Sequence, residues 1–265
     1  MRCSLSERLN RVHIYLTSEC NFNCVHCYVK AFGNYFITYE DMEAILHKLE
    51  ALKVVLSMSG GEPFVHKDFM KILSLIHDYG FEVVAIFTNG LLINEATVMK
   101  IKDMFKNVKF LISLDGFREE HSAFRRIPPE VYNKIIENIK LLKRLGFKVI
   151  VNTMIHKLFT REKIKVFMKF LKTLNIDMWR VDIPLYEGEW RKYYKVFGLD
   201  MQLLIDYLCD IILYWIDLGK PYNLELSHFA KILNNTFYIS DEYTIDDFVP
   251  VKHLQYGLIN LCHGV

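Results

Sequence analysis

The sequence is poor in the residues that mark fibrous or low-complexity chains, and its charges almost cancel. Only 6 prolines and 12 glycines occur among 265 residues, which excludes a collagen-like or other Gly/Pro-rich fibre. Hydrophobic residues make up 52% and charged residues 24%, so an intrinsically disordered chain is excluded as well. The formal net charge of +2 gives no electrostatic reason to expect nucleic acid or a membrane surface as a partner. We therefore expect a globular protein that binds neither.

Long uncharged apolar runs are also absent. The first eight residues, MRCSLSER, lack the apolar core of a signal peptide. The most apolar stretch, Leu203 to Leu218, contains Asp206, Asp210 and Asp217, which are costly at a bilayer centre. We expect it to be a buried helix of a soluble, cytoplasmic protein. In that reducing compartment the six cysteines are expected to be free thiols or metal ligands rather than disulfides.

Apolar, β-rich runs alternate with amphipathic helical patterns along most of the chain. Six βα units with short connections imply a parallel sheet covered by helices, which right-handed crossovers would curl into a barrel or partial barrel. The expected fold class is α/β, with a partial (β/α)6 TIM-like barrel over residues 10–185. A helical extension is expected over residues 186–265, including a helical stretch near Ser227–Asn234. The predicted strands are Val12–Leu16, Val54–Met58, Val83–Phe87, Lys109–Leu114, Lys148–Thr153 and Met178–Ile183.

Three cysteines lie on one short stretch directly after the first predicted strand. In CNFNCVHC, residues 20–27, the thiols of Cys20, Cys24 and Cys27 can turn toward one point. Three thiolates can bind three irons of a cubane cluster and leave the fourth iron open to an exogenous ligand. Two alternatives stay open. One is a zinc site that adds His26; the other is an electron-carrying cluster whose fourth ligand comes from Cys3, Cys209 or Cys262.

Polar motifs also follow the next strands, at the edge where barrel enzymes carry their chemistry. They are GGEP at residues 60–63, TNG at 88–90 and SLDG at 113–116. Paired glycines let a backbone approach a ligand closely, although GG and NG are also ordinary turn sequences. Ser113 and Asp115 are two residues apart, so on a strand they would face the same side. The guanidinium of Arg125 can bind a carboxylate through two N–H groups.

Together these motifs resemble the radical S-adenosylmethionine (SAM) superfamily, and the SLDG stretch with His121 and Arg125 resembles its SPASM/Twitch subgroup. The resemblance implies that Cys20, Cys24 and Cys27 bind a [4Fe–4S] cluster whose fourth iron SAM chelates. Arg126 stays an alternative to Arg125, and Asn152 is equally compatible with a satisfied core amide. The SAM contacts that the resemblance implies are His26, Gly60, Gly61, Glu62, Asn89, Ser113, Asp115, Arg125 and Asn152.

The resemblance further implies an enzyme that reductively cleaves SAM to a 5′-deoxyadenosyl radical. That radical would abstract hydrogen from a peptide or a small-molecule cofactor precursor, and a reductant such as ferredoxin or flavodoxin would supply the electron. The alternative function is a non-enzymatic iron–sulfur electron-transfer or assembly protein. Residues 261–264, LCHG, resemble the opening of a SPASM domain, but too few cysteines remain to complete an auxiliary cluster. We therefore expect either a shortened SPASM-type region or a Cys262 without a cluster role.

Overall fold

A computed structural model describes residues 11–226, 230–233 and 236–239. A continuous sheet forms the centre of the molecule, and its strands are neighbours in chain order. Seven strands run parallel, which confirms the predicted α/β class and the six predicted strands and adds one more. The parallel strands are β1 (Arg11–Tyr15), β2 (Val55–Ser59), β3 (Val83–Thr88), β4 (Lys109–Ser113), β5 (Lys148–Met154), β6 (Met178–Asp182) and β7 (Asn223–Leu226).

Eight α-helices connect or flank the strands in the described part of the chain. Several begin where the sequence supplies a capping side chain: Thr38, Asn94 and Asp200 each accept a hydrogen bond from a backbone N–H of the first turn. These local signals explain why most helix positions follow from sequence alone. The helices are α1 (Tyr39–Leu49), α2 (Phe69–Asp78), α3 (Glu95–Met104), α4 (Arg118–Arg125), α5 (Glu130–Arg144), α6 (Arg161–Thr173), α7 (Trp190–Phe197) and α8 (Met201–Asp217).

The C-terminal part departs from the sequence prediction. The helical stretch predicted near Ser227–Asn234 is wrong, because β8 (Ala230–Leu233) and β9 (Thr236–Ile239) form an antiparallel hairpin there. β8 pairs with β7, whose backbone hydrogen bonds would otherwise be unpaired on that side. This pairing outweighs the local helical pattern. Because β7 pairs with β6, the sheet continues past residue 185; the domain boundary predicted there stays a prediction.

The two faces of the sheet differ in polarity. One face packs against the helices through fully buried side chains such as Leu56, Ile86 and Phe110. On the other face, Ala85, Leu111 and Ile150 form a small apolar layer. Ser113 and Asn152 lie two residues beyond Leu111 and Ile150, and Arg180 of β6 and Glu225 of β7 continue their register across the sheet. This second set is called the polar row, and it lies toward the C-terminal ends of the strands.

Helix α8 buries only one face, whereas the sequence predicts a buried helix. Leu204, Tyr207, Ile211 and Trp215 pack inward, whereas Ile205, Leu213 and Ile216 are exposed. Across the described ranges, no helix combines the length and the hydropathy that crossing a membrane requires.

Candidate functional site

The loop that carries the three cysteines, residues 16–28, lies beyond the C-terminal end of β1 and is called the cysteine loop. Cys24 is buried, Cys27 is half-buried and Cys20 is exposed. A tight turn brings the last two together, because the backbone N–H of Cys27 donates to the carbonyl of Cys24 over 3.3 Å. From outside the loop, the N–H of Glu189 donates to the carbonyl of Cys27 over 3.0 Å. The loop is therefore held by the segment that follows β6 as well as by its own turn.

The GGEP segment after β2 holds the other end of the cysteine loop. The N–H of Gly61 donates to the carbonyl of Thr17 over 2.6 Å, and the N–H of Glu62 donates to the carbonyl of Glu19 over 2.9 Å. Side chains would prevent this approach, because a Cβ on Gly60 would meet the Thr17 carbonyl oxygen at 2.5 Å. Gly60 also has φ near +147°, which glycine adopts readily. The paired glycines are thus required for backbone-to-backbone packing beneath Cys20.

Glu62 connects three loops and is completely buried. Its carboxylate accepts hydrogen bonds from the Thr88 hydroxyl and the Asn89 N–H, both at 2.7 Å, and from the Phe64 N–H at 3.2 Å. Burial raises the pKa of Glu62 to about 7, although these donors favour the charged form. The side chain of Asn89 in turn donates to Asn21 of the cysteine loop over 2.7 Å. The TNG motif is therefore more than a turn, since its asparagine contacts the cysteine loop.

Asp115 and Arg125 form a buried ion pair, with 2.5 Å between Arg125 Nε and Asp115 Oδ2. Asp115 lies two residues past the end of β4, so the strand alternation expected for Ser113 and Asp115 does not extend to it. Its second oxygen accepts from the Met154 N–H over 2.8 Å. Burial disfavours a charged Asp115, but Arg125 outweighs that effect and holds the pKa of the carboxyl below its usual value. Both carboxylate oxygens are thus occupied by partners within the protein.

Arg125 also contacts the cysteine loop, which decides between the two arginines that the sequence offers. Its Nη1 lies 3.8 Å from Cys24 Sγ, within hydrogen-bonding distance of a sulfur. Arg126, by contrast, is exposed and places its guanidinium over the ring of Tyr193. Burial raises the pKa of the Cys24 thiol, while Arg125 acts in the opposite direction. Arg125 therefore favours the thiolate, which is the form that binds metal.

Three aromatic rings stack beside this ion pair. The ring of Phe124 lies between His26, at a centroid distance of 4.5 Å, and His156, at 4.0 Å, and both pairs are nearly parallel. His26 is one of the SAM contacts that the resemblance implies, and Phe124 covers one face of its ring. Burial lowers the pKa of both histidines, which favours the neutral form of both rings. His156 is completely buried. No sequence signal indicates the stack, because its three rings come from three separate segments of the chain.

The donor set suits an iron–sulfur cluster. Three free thiols share one loop, and N–H groups of Phe22 and Arg125 lie within hydrogen-bonding distance of Cys20 and Cys24 sulfurs. Hydrogen bonds to sulfur are a common feature of such clusters. No group of three or more His, Cys, Asp or Glu side chains that could hold one metal ion occurs in the part of the chain that the structure describes. A cubane binds each thiolate to a different iron, so it does not need the sulfurs to converge on one ion.

Comparison with known proteins agrees with this arrangement. The model of the radical SAM superfamily matches residues 14–171. The chain belongs to the radical SAM superfamily. That superfamily uses a [4Fe–4S] cluster and SAM, and the residues of the cysteine loop fit these cofactors.

Relatives of this radical SAM protein differ in what their names say they act on. A GTP 3′,8-cyclase of Nautilia profundicola is 26% identical over 211 residues, covering 75% of this chain and 63% of that protein. An Fe-coproporphyrin III synthase of Methanosarcina barkeri is 35% identical over 116 residues, covering 42% of this chain and 28% of that protein. The chain spans less than two thirds of the length of the first curated relatives that it matches.

Solved structures support the fold of this radical SAM protein. Streptococcus suis SuiB bound to its precursor peptide SuiA superposes with a TM-score of 0.68 at 21% identity, covering 80% of this chain and 47% of SuiB. SuiB bound to SAM superposes with a TM-score of 0.65, also at 21% identity, covering 82% of this chain and 47% of SuiB. At this level of identity the likeness shows a shared fold.

Most residues predicted for the site come together, although each role stays a prediction. Cys20, Cys24, Cys27, His26, Gly60, Gly61, Glu62, Asn89, Asp115 and Arg125 lie on or against the cysteine loop or in contact with residues that do. Ser113 and Asn152 face each other in register in the polar row. Asn152 Oδ1 is buried and has no hydrogen-bond partner among the described residues. Cys3 and the LCHG segment with Cys262 lie outside the described residues.

Proposed function

We propose that this protein is a radical SAM enzyme whose cluster is bound by Cys20, Cys24 and Cys27. The observation that carries the proposal is the position of these thiols on one loop at the C-terminal edge of the sheet, fastened by the GGEP segment and contacted by Arg125. When bound, the reduced cluster would supply one electron to SAM, releasing methionine and a 5′-deoxyadenosyl radical that removes hydrogen from a substrate.

The residues of this chain would bind and orient SAM. Gly60 and Gly61 keep the GGEP backbone free of side chains, and Glu62 fixes its direction through Thr88 and Asn89. Two buried polar atoms, Asn152 Oδ1 and His26 Nδ1, have no hydrogen-bond partner among the described residues. Buried polar atoms are normally paired, so their state suits the binding of a polar ligand such as a nucleoside. Ser113, in register beside Asn152, is proposed to contact the same ligand.

The experiment that tests this function is reductive SAM cleavage by the anaerobically reconstituted protein. We expect about four irons and four sulfides per chain and, with dithionite, release of methionine and 5′-deoxyadenosine. Cys24→Ala should lose both the cluster and the cleavage of SAM, because it removes the buried thiol of the cysteine loop. Cys209→Ala is the matched control, since Cys209 is exposed on α8. A stable cluster without SAM cleavage would instead favour the electron-transfer alternative, and zinc in place of iron would refute both.

For the substrate we propose a peptide or a small-molecule cofactor precursor that meets the polar row. Arg180 of this row is paired with Asp182 over 3.1 Å and lies 3.8 Å from Glu225. The polar row therefore offers a positive charge, a negative charge and an amide toward the C-terminal ends of the strands. The relatives named for GTP and coproporphyrin, and SuiB with its bound peptide, represent both substrate kinds.

Substrate and partners can be tested together with the cleavage assay. Perdeuterated candidate substrates should transfer deuterium into 5′-deoxyadenosine, and only the true class should do so above the uncoupled background. We also propose ferredoxin or flavodoxin as the reductant and the cytoplasm as the compartment, where the free thiols would stay reduced. Replacement of dithionite by reduced ferredoxin or reduced flavodoxin should support turnover. Failure with both carriers would contradict the reductant proposal.

A further inference from the structure

Arg125 is directed at a cysteine thiol rather than at open space. Its side chain is only 9% exposed, and the side chain of Asp115 is fully buried. The guanidinium uses Nε for Asp115 and Nη1 for Cys24 Sγ. One planar group thus contacts a carboxylate and a thiol at once, which suits the fixed donor geometry of arginine.

The surroundings of Asp115 leave this pair little freedom to move. The backbone N–H of Asp115 donates to His121 Nδ1 over 3.0 Å, and its carbonyl accepts from His156 Nε2 over 3.1 Å. With Met154 on its carboxylate, Asp115 is held through its N–H, its carbonyl and its side chain. Its backbone and its side chain are therefore both fixed.

The helix that carries Arg125 is fastened to the cysteine loop as well. The carbonyl of Phe124 accepts from the N–H of Val25, over 3.1 Å, directly beside Cys24. This backbone bond fixes the distance between α4 and the thiol independently of the guanidinium. A swing of Arg125 away from Cys24 would leave Asp115 as a buried charge without its partner, which is strongly unfavourable.

We propose that Arg125 tunes the iron–sulfur cluster by donating a hydrogen bond to Cys24, and that Asp115 is the positioning residue that holds it there. The inference rests on the proposed function, because it requires the cluster. It differs from the expectation that Arg125 and Asp115 bind the carboxylate and ribose of SAM. Reduction adds negative charge that is shared by the sulfurs, so an N–H donor to a cluster thiolate favours the reduced state.

The first test detects the contact between Arg125 and the cluster directly. The protein is grown with ¹⁵N-arginine, its cluster is reduced without SAM, and hyperfine couplings are measured by pulsed electron paramagnetic resonance. We expect a ¹⁵N coupling and an exchangeable proton coupling from the guanidinium. Arg125→Lys should lose both, since lysine has no planar fork to contact Asp115 and Cys24 together. Arg126→Gln is the matched control and should keep both, because Arg126 lies over Tyr193.

The second test is the midpoint potential of the cluster, again without SAM. Arg125→Lys keeps the positive charge yet should shift the potential to a more negative value, whereas Arg126→Gln should match the wild type. Asp115→Asn should weaken or abolish the ¹⁵N coupling although Arg125 is present, which separates positioning from direct contact.

Different outcomes overturn the function and the inference. A protein that assembles no iron–sulfur cluster refutes the proposed function, and the inference fails with it. A wild-type protein with a full cluster and SAM cleavage but no arginine coupling refutes the inference alone. An unchanged midpoint potential in Arg125→Lys would also refute the inference alone, and would leave Arg125 as a contact of SAM.

Discussion

Gly61→Ala tests the close packing between the GGEP segment and the cysteine loop. A Cβ at residue 61 would lie 2.6 Å from the carbonyl carbon of Glu19 and 2.7 Å from the carbonyl oxygen of Ser18. Ordinary carbon contacts are about 3.5–4.0 Å, so one backbone must move by roughly 1 Å. The obstacle is the backbone of Ser18 and Glu19, directly before Cys20. No side chain can therefore rotate to relieve the overlap.

The cost of this substitution has two parts. Overpacking of a tight contact costs about 1–3 kcal/mol. Separation of the segments also breaks the 2.9 Å hydrogen bond from Glu62 N–H to Glu19, for about 1 kcal/mol more. We therefore expect Gly61→Ala to lower the free energy of unfolding by about 2–4 kcal/mol in denaturant titrations. Because Cys20 follows Glu19 directly, iron bound after reconstitution should also fall.

Gly80→Ala is the matched control for that experiment. Gly80 has φ near +76°, but a Cβ there would meet nothing within 4 Å. Its cost is limited to the left-handed backbone conformation, about 1 kcal/mol, and iron content should equal that of the wild type. Wild-type stability and full iron in Gly61→Ala would refute the packing argument. Equal iron loss in both variants would show that the loss follows general destabilisation.

Three further predictions concern the supports of the site. Because burial raises the pKa of Glu62 from 4.5 to about 7, its stabilising contribution is present below pH 4.5 and is lost as pH rises through 7. Wild-type stability relative to Glu62→Gln should thus fall by roughly 2–3 kcal/mol between about pH 5 and pH 8, and a pH-independent difference would contradict the raised pKa. Trp179→Phe should lower the free energy of unfolding in denaturant by about 2–4 kcal/mol, because it leaves a cavity and removes the buried 2.8 Å hydrogen bond to Thr153. A decrease under about 0.5 kcal/mol would be inconsistent with that packing. Gly188→Ala should reduce iron content, since a Cβ there would lie 2.9 Å from Tyr28 Cα and closer still to the Cys27 carbonyl, and an unchanged cluster spectrum would show that the cysteine loop tolerates the shift.

The six predicted strands and most helices follow from local information. Strand runs such as Val83–Phe87 and capped helices such as α1 owe their structure to side-chain periodicity and to hydrogen bonds between residues three apart. The positions of the cysteine, GGEP and SLDG motifs at strand ends follow from the same pattern. Sequence alone therefore determined the α/β fold, the family and the residues that gather at one edge of the sheet.

Only the tertiary structure decided which of those residues contact one another. Arg125 and Cys24 are 101 positions apart, and neither sequence nor spacing indicates that the guanidinium points to that thiol. The stack of His26 on Phe124 and the pairing of β7 with β6 are likewise long-range. Periodicity and capping act over a few residues, whereas these contacts depend on how whole elements pack. The orientation of a buried charged side chain depends on the partners that packing brings to it, so the tertiary structure and not the sequence pattern decides it.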